Sequence, residues 1–129
     1  MIQKIIVISG IVMLLTSCGT VQPQESKENP TVAVKENEKE EWDVIVMDAD
    51  YNTFMTSYAK PRDFYSEEYY RSKNTFLVSE WNARHYAGKP LYEVAIEYNP
   101  NEKYGIDFEY KLYNFFRFVE WKYNVRLGY

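Results

Sequence analysis

The sequence predicts a small α+β domain, mainly helical, with a short two-stranded sheet, that follows a disordered tether. Every aromatic residue lies at or beyond Trp42, and because rings bury large apolar areas, a core is expected only in residues 42–129. Within that part, three stretches repeat apolar residues at helical spacing and two shorter stretches have strand character. We therefore expect one aromatic-rich globular domain in which helices cover two strands.

Two strands are expected in this domain. Residues 42–48 form a short, apolar, β-branched run bounded by acids, which is typical of a buried strand. Residues 91–98 alternate between apolar and polar up to a turn at 99–101. One side of that alternation carries Tyr92, Val94, Ile96 and Tyr98. With a helix between them, the two strands are expected to run parallel in a right-handed crossover.

The first two helices are predicted from their ends as well as from their spacing. A short helix is expected to have Asp50 as its N-cap and to stop near Lys60, because Pro61 disfavours helix at the residue before it. A longer helix is expected between Ser66, an N-cap followed by two glutamates, and a stop signal at Gly88. One face of this helix carries Tyr70, Asn74, Leu77 and Trp81.

Residues 106–123 fit two patterns. As a helix they present one continuous apolar stripe, whereas as a strand their first half alternates between apolar and charged residues. We prefer the helix because the stretch is too long for one ordinary strand, and Asn124 is then expected as a left-handed cap. The stripe consists of Phe108, Leu112, Phe115, Phe116, Val119 and Tyr123. Tyr110, Phe118 and Trp121 fall outside it and are expected to meet another element or a partner.

The N-terminus has the plan of a lipoprotein signal peptide. Residues 1–17 contain a short polar start and an apolar core that is shorter than the roughly 20 residues of a membrane-spanning helix. The segment ends in Leu15, Thr16 and Ser17, and Cys18 follows directly. These residues resemble the lipobox of bacterial lipoproteins, which implies removal of residues 1–17 and lipidation of Cys18. No aspartate follows Cys18, which by the same resemblance implies the outer membrane. The alternative is an ordinary secretory signal.

Residues 18–41 are predicted to be the lipidated cysteine and a flexible acidic tether. After Cys18 the segment has two prolines, six glutamates, three lysines and no aromatic residue. It therefore contains too little apolar surface to order itself. A charged run at residues 35–41 that binds a partner is the alternative.

Composition excludes several classes of partner and cofactor. The formal net charge is -4, and because phosphate binding needs a basic face, we expect no nucleic acid. Cys18 is the only cysteine and His85 the only histidine, so neither a disulfide nor a His/Cys metal site is expected. Asp48 and Asp50 open like a calcium loop, but the required glycine and final glutamate are absent. We predict no metal, no cofactor and no assigned catalytic residue.

Residues 80–85 contain the densest group of side chains suited to binding a ligand. Trp81, Asn82, Arg84 and His85 are the candidate binding residues. On a helix, Trp81 and Arg84 share a side, so an aromatic ring beside a guanidinium is suited to grip a sugar or a carboxylate. The preferred interpretation is structural, with Trp81 in the core, Asn82 and Arg84 in solvent, and Glu80 paired with Arg84.

The domain resembles a family of small bacterial lipoproteins that is classed as a domain of unknown function. The resemblance covers residues 42–48, residues 65–69 leading to 80–84, and residues 104–105 followed by 110–113. It implies an anchored envelope protein and carries no activity.

Two functions are therefore weighed. The first is a lipid-anchored interaction module that binds an envelope protein or glycan through Tyr110, Phe118 and Trp121. The second is a small hydrolase of cell-wall glycan or peptide that uses acids such as Asp48 and Asp50, or His85. A cleft that joins those polar side chains is the condition for the hydrolase.

Overall fold

The computed structural model describes residue 30, residues 32–36 and residues 42–128. These residues form strands β1 (Val32–Glu36) and β2 (Trp42–Val46), and helices α1 (Asp50–Ser57), α2 (Glu67–Tyr86) and α3 (Ile106–Tyr123). A short 3₁₀ turn, Arg62–Phe64, lies between α1 and α2. The fold is the small, mainly helical α+β domain that the sequence predicts. No helix in the described residues has the length and apolarity needed to cross a membrane.

The sheet pairs β1 with β2 in antiparallel register, with Val32 opposite Val46. Val32 and Val44 are buried in the core, which explains why these two short strands stay together. β1 lies inside the segment 18–41, so the prediction of a tether is wrong for these five residues. The predicted signal peptide, Cys18 and most of the remaining tether lie outside the described residues.

Residues 91–98 form no strand, and the predicted parallel crossover is wrong. Their alternation is real in part, because Tyr92 and Ile96 are buried whereas Val94 is 50% exposed. Their backbone groups bind side chains of α2 instead of a neighbouring strand. Asn82 donates from Nδ2 to the Ile96 carbonyl at 2.9 Å and accepts from the Ile96 amide at 2.8 Å. Side chains of α2 thus make the backbone hydrogen bonds that a neighbouring strand was expected to make.

The helix ends confirm one predicted cap and correct another. Ser66 Oγ accepts from the Tyr69 amide at 3.1 Å, so the N-cap of α2 is confirmed. Asp50 is not a cap, since α1 already includes it and Ala49 occupies the cap position. The preceding carboxylate takes over, because Asp48 Oδ1 accepts from the Asp50 amide at 2.9 Å.

Helix α3 is the centre of the domain. The helix prediction for residues 106–123 is confirmed and the strand alternative is wrong. Asn124 has the left-handed conformation expected of its cap, with φ 51° and ψ 44°. α3 contacts α1, α2, β2 and the 3₁₀ turn, so it is buried on more than one side. Its fully buried apolar residues are Phe108, Leu112, Phe115, Phe116, Phe118 and Val119.

Candidate binding cleft

A cavity of about 370 Å³ lies between the end of α1, the chain that follows it and one face of α3. The α3 side is formed by Tyr110, Tyr113, Asn114, Arg117 and Trp121. These positions are three or four residues apart, so they share one face of the helix. The opposite wall consists of Phe54, Tyr58, Ala59, Lys60, Tyr65 and Tyr70. We call this cavity the aromatic cleft, and its size is within the range of small-molecule sites.

The rings of the aromatic cleft form an accessible pair and a buried set. Tyr58 and Trp121 are 59% and 41% exposed, and their ring centroids are 5.1 Å apart at an interplanar angle of 42°. Tyr70 is buried, and its ring centroid lies 5.6 Å from that of Tyr110 and 5.3 Å from that of Tyr113. Aromatic rings therefore line the aromatic cleft both at the surface and inside.

Two cations and no carboxylate line the aromatic cleft. Lys60 Nζ lies 4.1 Å from the centroid of the Phe64 ring, and no ion pair in the described part of the chain includes it. The Arg117 guanidinium carbon lies 5.1 Å from the Tyr113 centroid, and Arg117 Nη1 lies 2.7 Å from a Glu120 oxygen. Arg117 Nε is buried without a hydrogen-bond partner among the described residues. Lys60 thus gives the aromatic cleft a positive charge that no acid in its lining offsets, whereas the charge of Arg117 is offset by Glu120 from outside the lining.

Two tyrosine hydroxyls hold the walls of the aromatic cleft in place. Tyr110 donates to the Lys60 carbonyl at 2.6 Å, and Tyr70 donates to the Arg62 carbonyl at 2.8 Å. Burial raises the pKa of Tyr110 and of Tyr70, so both hydroxyls keep the proton that they donate. These bonds tie the chain after α1 to α3 and α2, and they fix the walls of the aromatic cleft relative to one another.

A second polar cluster surrounds Glu109 and is closed to solvent. Glu109 Oε2 accepts from Asn74 Nδ2 at 2.8 Å and from the Tyr98 hydroxyl at 3.0 Å. Arg71 Nε lies 3.7 Å from the other carboxylate oxygen. Burial raises the pKa of Glu109, although Asn74, Tyr98 and Arg71 act to lower it. Because Glu109 is 0% exposed, this carboxyl joins helices and does not meet substrate.

The family is known although its function is not. A family model, DUF6146, described as a family of unknown function, matches residues 5–129. The chain belongs to DUF6146. No curated protein and no solved structure gives a significant match.

The four candidate binding residues of this DUF6146 chain support the segment 91–98. Trp81 is 1% exposed and donates from Nε1 to the Val94 carbonyl at 2.8 Å. His85 Nδ1 is 2.7 Å from the Tyr92 carbonyl oxygen, and Asn82 holds Ile96 as described above. The burial of Trp81 and the pairing of Arg84 with Glu80 agree with the structural interpretation.

Arg84 and Asn82 differ from that interpretation, which placed them in solvent. Arg84 Nη1 donates to the Tyr92 hydroxyl at 2.7 Å, and Nη2 donates to the Arg126 carbonyl at 2.6 Å. Both side chains are partly buried: Asn82 binds the chain before α3, and Arg84 binds the chain on both sides of it. A ligand-binding role for Trp81, Asn82, Arg84 and His85 stays a prediction.

The acids proposed for hydrolysis have other partners. Asp48 and Asp50 both bind Lys122, at 2.7 Å and 2.9 Å. Burial acts to lower the pKa of Lys122, but the hydrogen bonds to the two carboxylates outweigh it and raise that pKa. His85 contacts Tyr92 instead, and neither the acids nor His85 line the aromatic cleft. Among the described residues, no group of three or more His, Cys, Asp or Glu is arranged to hold a metal ion.

The three aromatic residues predicted to fall outside the apolar stripe of α3 lie in two different places. Phe118 is fully buried against Tyr51 and Phe54, whereas Tyr110 and Trp121 line the aromatic cleft. Lys60 and Arg117 were not predicted from the sequence to be site residues. The signal for Arg117 was present, because residues 110, 113, 114, 117 and 121 form a second stripe on the predicted helix. No local signal marks Lys60, which reaches the site through the turn at Pro61.

Proposed function

We propose that this protein is a lipid-anchored cell-envelope protein whose domain binds a ligand without catalysing a reaction, and that the aromatic cleft is the binding site. In this proposal the lipid on Cys18 holds the domain on the outer membrane, facing the periplasm. Its partners are then the lipid bilayer and an envelope protein or glycan.

The observation that supports a binding role is the preformed aromatic cleft with accessible rings. Tyr58 and Trp121 leave large parts of their rings exposed. A single exposed ring is common on protein surfaces and indicates no binding site by itself. These two lie together over a concave site that also contains two cations, which is the usual composition of a ligand pocket. The acids of the hydrolase hypothesis lie outside the aromatic cleft, so no observation favours that alternative.

Site-specific cross-linking in intact cells tests the binding role. A photoreactive benzoylphenylalanine replaces Tyr58 at the aromatic cleft in the full-length chain. A second chain carries it in place of Tyr86, which is 79% exposed and does not line the aromatic cleft. We expect discrete adducts from position 58 only. Equal adducts from both positions, or none from position 58, would contradict the proposal.

Metabolic labelling with a fatty acid tests the anchor. The wild-type chain should incorporate label, and Cys18→Ala should lose it, because only the thiol forms the thioether that carries the lipid. Ser17→Ala is the matched control and should keep the label, since it leaves a small residue before Cys18. An unlabelled wild-type chain would show that the signal is an ordinary secretory one.

A further inference from the structure

The charge of the aromatic cleft sets it apart from the other described grooves. The groove along β2 contains Arg62 and Lys111, but each of these cations already binds an acid in the same groove, Asp107 and Asp43 respectively. The groove beside Trp42 is lined by one acid, Glu97, and no cation. Only the aromatic cleft, among these three, carries positive charge without a carboxylate in its lining.

Its two cations differ in how much of their charge is neutralised nearby. Lys60 packs over the rings of Phe64 and Tyr65, and such packing leaves the ammonium charge in place. Arg117 Nη1 donates to Glu120 Oε2 at 2.7 Å, so this ion pair offsets much of the Arg117 charge. A guanidinium has five N–H donors, and the Arg117 side chain, which is 39% exposed, gives one of them to Glu120. An anionic group in the aromatic cleft thus has donors to meet.

The aromatic rings of the aromatic cleft indicate the chemistry of the uncharged part of the ligand. A saccharide has apolar C–H faces and a rim of hydroxyls, and tyrosine and tryptophan combine an apolar plate with a polar edge. The Tyr58–Trp121 pair offers such rings at the surface, where Tyr58 lies two residues from Lys60 in the chain and Trp121 lies one helical turn from Arg117. A purely apolar ligand such as an acyl chain would desolvate the Lys60 ammonium without offering it a compensating charge.

We infer that the aromatic cleft binds an anionic saccharide, with a sugar ring against Tyr58 and Trp121 and its carboxylate or phosphate on Lys60 and Arg117. This inference rests on the proposed function of the aromatic cleft as a ligand site. Arg117 is suited to the anionic group because its planar donors match carboxylate and phosphate geometry. Binding is expected to weaken as salt is added, because both charges lie near the surface.

Calorimetric titration of the full chain in detergent micelles tests the inference with defined probes. Trigalacturonic acid supplies carboxylates, mannose 6-phosphate supplies a phosphate, and chitotriose is a neutral saccharide. Benzoate and inorganic phosphate are anions without a sugar ring. We expect at least one of the two acidic saccharides to bind at least tenfold more tightly than chitotriose, benzoate or inorganic phosphate. The better of the two identifies the anionic group.

Substitutions of residues in the aromatic cleft test whether the probes bind there. Lys60→Gln and Arg117→Gln should each weaken the acidic probe about tenfold and leave chitotriose unchanged, and Arg117→Lys should retain part of the affinity. Trp121→Ala should abolish binding of both saccharides. Lys103→Gln removes an exposed cation outside the aromatic cleft and should change nothing. Urea denaturation of each variant shows that the fold is retained.

The outcomes separate this inference from the proposed function. If chitotriose binds as tightly as the acidic probes, the site takes neutral saccharides and the charge argument is overturned. If benzoate or phosphate binds equally well, the saccharide is overturned. If no probe binds while position 58 still forms adducts in cells, the ligand class is wrong and the binding role stands. If both experiments fail, both proposals fall.

Discussion

The amide nitrogen of Asn74 lies 2.8 Å from a carboxylate oxygen of Glu109, and this contact joins α2 to α3 where both side chains are fully buried. The same nitrogen also donates to the Glu109 backbone carbonyl at 2.8 Å. A buried carboxylate is costly unless it is hydrogen-bonded. The pair therefore makes the packing of the two longest helices depend on polar contacts.

Asn74→Ala is expected to destabilise the domain by about 2–3 kcal/mol, because it removes donors from a buried charged group. Urea denaturation followed by circular dichroism measures the change in the free energy of unfolding. Ser72→Ala, at an exposed position of the same helix, is the control and should stay within about 0.5 kcal/mol of the wild type. Equal stabilities for the two variants would show that Glu109 does not need this amide.

Glu109→Gln is expected to change how stability depends on pH. The pKa of Glu109 in the folded chain is raised above its ordinary value of 4.5, so the folded state holds this proton to higher pH than the unfolded state. The free energy of unfolding should therefore fall as pH rises from about 4.5 through the raised pKa, with a limiting slope of about 1.4 kcal/mol per pH unit for one proton.

Urea denaturation between pH 4.5 and 7 measures that slope. In Glu109→Gln this contribution disappears, and the variant gains stability relative to the wild type as pH rises. Glu97→Gln changes an exposed carboxyl that makes no recorded contact with Glu109, and it should follow the wild type. An unchanged slope in Glu109→Gln would contradict the prediction.

Asn82→Ala is expected to release residues 91–98 from α2. Its amide makes both the donor and the acceptor bond to the backbone of Ile96, and loss of the two costs about 1–3 kcal/mol. Hydrogen exchange should show faster exchange at the Ile96 amide, with α3 amides less affected. Asn52→Ala, at an exposed position of α1, should leave the exchange of Ile96 as it is.

Gly105→Ala tests the entry to α3. Gly105 has φ 89° and ψ 161°, a conformation open essentially only to glycine, and a methyl group there would meet no atom within 4 Å. The expected cost of about 1–3 kcal/mol is therefore backbone strain and not a clash. Gly128→Ala is the matched control, since its new methyl group would make only an ordinary contact with Leu77. Thermal denaturation should separate the two variants.

The structural features that were predicted correctly depend on residues only a few positions apart in the sequence. Ser66 caps α2 because its hydroxyl reaches an amide three residues ahead, and the α3 stripe follows from spacing alone. Asn124 takes the left-handed conformation for a reason that is equally local.

The features that were missed depend on distant partners. β1 has three small apolar residues followed by Lys35 and Glu36, and it is ordered by β2, which begins six positions after β1 ends, so its composition resembled a tether. Residues 91–98 alternate as a strand does, but Asn82 and Trp81 bind their backbone. The aromatic cleft likewise needs Lys60 and Arg117, whose proximity is set by how α1 packs on α3.

The pairing of β1 with β2 limits the length of extended chain that can separate the domain from Cys18. With the proposed lipid on Cys18, only residues 19–31 separate the bilayer from the first strand, and a fully extended chain of that length covers roughly 45 Å. A free connection up to residue 41 would cover roughly 80 Å. If Cys18 carries the proposed lipid, the pairing of β1 with β2 therefore reduces the maximum distance between the bilayer and the domain by nearly half.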